Sequence, residues 1–200
     1  MASKVSLHKT DTEKVALAIQ FKTEGNESHK KQDFKVAIGK YHRALLQLKG
    51  IGSAKSAGLG AFMSDEDMET MGYSETISET MKQDVTKLTA DCYNNLSACL
   101  LKQPNPNYTK ILEYCDKVIE LEPQNAKAHY RKGLSYLSLD KYEQGLDSFQ
   151  MASSLDSSFQ ASKYIQQCKE GIKKQDKQLR DAYKGMFDRQ KSGNETQEHG

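Results

Sequence analysis

Apolar residues in this chain recur every three or four positions, the spacing that gathers them on one face of an α-helix. The alternation expected of a strand is nowhere evident. Prolines stand only at 104, 106 and 123, so long helices are permitted almost everywhere. The pattern also repeats. Residues 18–51 carry Phe21, Gly25, Phe34, Ala37, Tyr41 and Ala44, and residues 126–159 carry His129, Gly133, Tyr136, Tyr142, Gly145, Phe149 and Ala152. On a frame of about 34 residues, Gly25 coincides with Gly133, Tyr41 with Phe149, and Ala44 with Ala152. A third copy fits residues 90–125, through Tyr93, Ser97, Leu100, Tyr108, Cys115, Val118 and Pro123. It needs two extra residues at its inner turn, within Gln103-Pro104-Asn105-Pro106-Asn107.

Such a period predicts stacked helix-turn-helix units. Small residues at the eighth position let the two helices of a unit approach, and an aromatic near the twenty-fourth fills the space beside them. The spacing resembles that of tetratricopeptide repeats. The resemblance implies an all-α superhelix of three repeats (18–51, 90–125, 126–159) closed by a long C-terminal capping helix at 160–190. Ile111, where such repeats usually place Ala, is expected to splay the second pair locally. The domain is expected over 11–191, between disordered tails at 1–10 and 192–200.

Residues 52–89 interrupt the period. Their first part, Gly52 to Gly60, is small and flexible in composition, and Met63 to Thr80 is acidic and rich in Met, Ser and Thr. From about Ser78 the positions Met81, Val85, Leu88, Cys92 and Leu96 extend the first helix of the second repeat towards its N-terminus. The interruption is read as a solvated insertion at a permissive turn, with a loop that shields the groove as the alternative. Near the other end, residues 163–191 hold nine Lys or Arg against four Asp or Glu on a helical apolar pattern. A solvated cap is the expected role, and docking to an acidic partner the other one.

Charge changes the picture by exclusion. With 29 basic and 27 acidic side chains the net charge is +2, which provides no overall field for nucleic acid. No apolar run approaches the roughly 18 residues of a membrane span, and the N-terminus lacks the apolar stretch of a signal peptide. A cytoplasmic monomer is expected. Cys92, Cys99, Cys115 and Cys168 show no metal-ligand spacing and sit within apolar helical patterns, as buried thiols do. Four Asn-x-Ser/Thr sequons, at Asn26, Asn95, Asn107 and Asn194, would matter only in a secreted chain.

In repeats of this architecture the first helix of each pair lines the concave face. Lys22 and Asn26 stand four apart on one such helix, Asn95 lies on the next, and Lys127 and Arg131 stand four apart on the third. Three cations and two carboxamides converging on a groove suit a carboxylate, above all a chain terminus beside a second acidic group. These five residues resemble, position by position, the carboxylate clamp of chaperone-binding tetratricopeptide domains. The implied ligand is the Glu-Glu-Val-Asp C-terminus of the ninety- and seventy-kilodalton heat-shock chaperones. Ala37 to Lys49, Asp91 to Ser97 and Asn125 to Arg131 resemble the tetratricopeptide repeat protein 9 family. The layout is also similar to the C-terminal domain of large immunophilins, whose last helix Asp181 to Phe187 resembles.

Catalytic motifs do not emerge. His8, His29, His42, His129 and His199 are scattered, and no GxSxG, GxxxxGK[ST] or HExxH occurs. Gly52 to Gly60 lacks the strand-turn-helix setting of a phosphate loop. Asp65-Glu66-Asp67 lacks the Gly and closing Glu of a calcium loop. A non-enzymatic adaptor without cofactor or metal is expected, capturing acidic C-termini in the groove. The alternative is a scaffold for an internal segment of a cytoskeletal or signalling protein. An immunophilin-like isomerase is a distant third, because the segment before residue 12 is too short for that domain.

Overall fold

The structure is a computed structural model and describes residues 10–51 and 77–195. Seven helices and no strands occur among the described residues: α1 (Asp11–Lys30), α2 (Phe34–Leu48), α3 (Glu79–Leu101), α4 (Tyr108–Leu121), α5 (Ala126–Ser138), α6 (Tyr142–Leu155) and α7 (Ser162–Glu195). Residues 52–76 of the insertion, and with them the shielding loop, lie outside the described residues. So do 1–9 and 196–200 of the expected tails.

Short polar side chains cap four of the helix starts. Thr10 and Glu13 form a reciprocal capping box at α1. Asp33 accepts from the Val36 amide at 3.2 Å, Ser78 from Met81 at 3.2 Å, and Asn107 from Lys110 at 3.0 Å. Gln32 and Asp140 hold the same place in the inner turns of the first and third repeats, at φ 61° and 56°. Both therefore adopt the left-handed conformation that glycine takes at least cost. The last helix does not stop at 190. It continues to Glu195, because the stretch after Met186 has no proline and only Gly193 disfavours the helix.

The chain divides into two compact units, Met1–Ala128 and His129–Gly200. In the first, α1 packs on α2, α2 on α3, α3 on α4, and α1 also touches α3. One buried cluster joins Ala18, Ala44, Leu48, Leu88 and Cys92, and another joins Ala37, Tyr41, Leu96, Cys99 and Tyr114. Ile111, the larger residue at the place where such repeats usually hold Ala, is fully buried. Gly25 is where the first pair closes. A Cβ there would lie 2.7 Å from Cε1 of Tyr41.

In the second unit the same relationship recurs, with a Cβ on Gly133 2.8 Å from the Phe149 ring. Phe149 stacks on Tyr164 with centroids 5.2 Å apart and planes 15° from parallel. Leu134, Leu137 and Tyr142 pack around this core with Ala161 and Cys168. Beyond it, α7 leaves Leu179, Tyr183 and Met186 exposed. All four cysteines are buried. Among the described residues no helix is long and apolar enough to cross a membrane.

Candidate functional site

Two rungs connect α1 and α3. Lys22 Nζ donates to Asp91 Oδ2 at 2.8 Å, and Asn95 Nδ2 donates to Asn26 Oδ1 at 3.0 Å. Each rung joins residues 69 apart, and each pair on one helix is four apart, so the two helices run parallel and in step. The rungs are one helical turn, about 6 Å, from one another. They come from repeats separated by the insertion, which the fold spans without disturbing this register.

The Asn26 carboxamide is fixed from two sides. Its oxygen accepts from Asn95 and also from the Tyr41 hydroxyl at 2.8 Å. A carbonyl oxygen has two lone pairs, so both are used. The bonds settle which end of the amide is committed, and they leave the Asn26 NH2 as its donor for a ligand. Burial holds the Tyr41 phenol well above the ordinary tyrosine range, with Cys99 and Cys92 adding to the effect and Asn95 opposing it. The hydroxyl therefore stays a donor at any physiological pH.

Lys22 has a different neighbourhood. Its side chain is 24% exposed and that of Asp91 42%, so the pair sits at the edge of solvent. The ammonium has three donors, of which Asp91 takes one. Directly behind it, burial pushes the Cys92 thiol up to about 12, with Lys22 pulling down and Asp91 pushing up. Alongside, Lys40 pairs with Glu24 and lies 5.8 Å over the Phe21 ring, so that cation is used in joining α1 to α2.

Lys127 is exposed on the first turn of α5. Its place is set by Asn125, whose Oδ1 accepts from the Ala128 amide at 3.1 Å and from Asn94 Nδ2 at 3.1 Å. Asn94 is buried, while its neighbour Asn95 reaches Asn26. Adjacent asparagines on α3 thus do separate jobs, one bonding Asn125 and one facing α1. Arg131, one turn beyond Lys127 on α5, belongs to the second unit, where its carbonyl accepts from the Ser135 hydroxyl at 2.9 Å. The structure brings Asn26 and Asn95 into contact and places Lys22 one turn from Asn26.

Sequence reasoning passed over Asp91, Tyr41 and Asn94 at this site. Asp91 and Asn95 repeat the four-residue spacing of Lys22 and Asn26, and that echo between two first helices was the available signal. Among the described residues no group of three or more His, Cys, Asp or Glu is arranged to hold a metal ion.

Comparison with known proteins places the chain in a family. A tetratricopeptide repeat family model matches residues 114–147, from the second helix pair into the third. Tetratricopeptide repeat protein 9C of Xenopus tropicalis is 30% identical over 174 residues, covering 85% of this chain and 92% of that protein. The chain belongs to the tetratricopeptide repeat protein 9 family. Among solved structures, the C-terminal TPR-containing domain of a Plasmodium falciparum FK506-binding protein superposes with a TM-score of 0.67. It is 25% identical, and the match covers 84% of this chain and 97% of that one. The first TPR of Spaghetti (RPAP3), bound to the HSP90 peptide SRMEEVD, gives a TM-score of 0.54 at 14% identity, covering 79% and 94%. The all-α repeat architecture expected from the 34-residue period is therefore the fold of this tetratricopeptide protein, and that fold is a protein-interaction module.

Proposed function

We propose that this tetratricopeptide protein is a non-enzymatic adaptor that captures acidic C-terminal peptides, the Glu-Glu-Val-Asp tails of heat-shock chaperones above all. The observation that carries the reading is the Asn26–Asn95 hydrogen bond one turn from Lys22. It fixes two carboxamides on adjoining parallel helices one turn from a cation, a donor set suited to an extended peptide ending in a carboxylate. In this reading Lys22, Lys127 and Arg131 take the terminal and side-chain carboxylates. Asn26 and Asn95 orient the peptide through their remaining amide hydrogens. The fold shared with a TPR domain bound to an HSP90 peptide supports the ligand class.

Charge-assisted hydrogen bonds contribute about 1.5–3 kcal/mol each, and ordering an extended peptide offsets much of their sum. Micromolar affinity, roughly −8 kcal/mol, is the expected balance. Because Lys22 and Lys127 meet solvent, it weakens with salt. Titration calorimetry with Met-Glu-Glu-Val-Asp beside its C-terminally amidated form tests the reading. Binding of the free acid, lost on amidation and in Lys127→Ala and Arg131→Ala proteins, supports it. Silence from both peptides in a folded sample overturns it and favours a scaffold for internal segments.

A further inference from the structure

We infer that Asp91 is a built-in competitor for the ligand: its carboxylate occupies Lys22 and so sets how strongly, and how selectively, the α1–α3 face takes an acidic chain terminus. This rests on the peptide-capturing function proposed above and adds a residue that opposes it. The geometry is that of a carboxylate already bound, with Oδ2 of Asp91 2.8 Å from Lys22 Nζ. It lies one turn from the amide pair formed by Asn26 and Asn95, as a ligand carboxylate on Lys22 would. Both side chains keep a solvent-facing edge, so the pair can open and the peptide can reach the ammonium.

A second carboxylate arriving at Lys22 would meet the first at close range, where like charges repel. The ligand must therefore displace Asp91 or share the cation with it, and either route takes away part of the attraction. A neutral or amidated terminus meets no such repulsion. Asp91 thus narrows the gap between acidic and neutral C-termini and favours ligands whose other contacts are strong enough to bear the loss. Specificity is a difference of affinities, and the opposing carboxylate makes this one smaller.

Asp91→Asn keeps the shape and an acceptor for Lys22 while removing the charge. Calorimetry of the full chain with Met-Glu-Glu-Val-Asp should show about fivefold tighter binding for this variant, the weight of one well-placed exposed ion pair. The gain should vanish when Lys22→Met is introduced as well, because Asp91 acts through that ammonium. Thermal melts by circular dichroism establish that each variant is folded. Unchanged or weaker binding by Asp91→Asn, in a protein whose wild type binds through Lys127 and Arg131, overturns the inference and leaves the proposed function standing. A gain that persists without Lys22 also overturns it, since it would show only a general charge effect. Absence of binding in both overturns the inference together with the function it rests on.

Discussion

Gly25 and the Tyr41 ring approach so closely that a single added methyl on the glycine would stand 2.7 Å from Cε1 and 2.9 Å from Cδ1. The ring cannot swing aside freely, because its hydroxyl is held by Asn26 at 2.8 Å. Gly25→Ala should therefore lower stability by about 1–2 kcal/mol, with overpacking outweighing the better helix propensity of alanine. Gly39, on α2, has nothing within 4 Å of an added Cβ. Gly39→Ala should raise stability by up to about 1 kcal/mol. Thermal melts of the two variants should move in opposite directions, and a shift of the same sign in both would refute the packing argument.

Asn26 joins the core to the candidate site through one oxygen. Tyr41→Phe leaves that oxygen with Asn95 alone and should cost about 1 kcal/mol. Asn26→Leu should cost more, about 1–3 kcal/mol, because the phenol is left buried without its acceptor. The two changes together should cost less than their sum. Chemical denaturation of the three variants measures this coupling, and strict additivity would mean that the hydrogen bond carries no weight.

The four thiols should be silent towards water-soluble reagents while the chain is folded. All are buried, and burial holds Cys92 up at about 12 and raises Cys168. Thiolate, the reactive form, is therefore scarce at pH 8 and shielded as well. Titration with a chromogenic disulfide should release almost nothing from native protein and four equivalents in denaturant. A fast-reacting equivalent in the native state would show that a buried segment opens readily.

His42 should make stability fall on the acid side of neutrality. Its ring meets Tyr114 edge-on with centroids 6.0 Å apart, and Nε2 lies 3.4 Å from the Tyr114 hydroxyl. Burial, then the Lys110 charge, hold its pKa below the usual histidine range. Burial raises Tyr114, so that hydroxyl stays protonated beside the neutral ring. A depressed histidine stabilises the fold fully above its unfolded value of about 6.5 and loses that contribution as pH falls through the folded value. His42→Gln should flatten the stability profile over that window. A difference curve level from pH 7 to 5 would count against it.

The period of small and aromatic residues was legible because the contact it encodes is local to one helix pair. Gly25 with Tyr41, and Gly133 with Phe149, lie 16 apart in sequence and touch in space. The start of α3 near Ser78 was legible as well, because Met81, Val85 and Leu88 carry the apolar pattern outward from Leu96. The end of α7 was not, since polar residues beyond 190 extend a helix without leaving an apolar trace. Asp91 was passed over, although with Asn95 it echoes the spacing of Lys22 and Asn26. Its partner is 69 residues away across the insertion, and the frame that located Lys22 and Asn95 assigns no role to the acid one turn before Asn95. Nor could the sequence tell that Asn26 spends its oxygen inside the protein, because that depends on which way an amide turns.

The first and third repeats solve one packing problem in two chemical languages. Where Asn26 answers the hydroxyl of Tyr41, the corresponding places in the third repeat hold Leu134 and Phe149, which meet in an apolar core. Polarity is thus matched within couples rather than set by single residues. A lineage drifting from one version to the other must pass through a mismatched intermediate, a phenol facing leucine or an amide facing phenyl. Each repeat is held to its own dialect by the partner it would have to abandon.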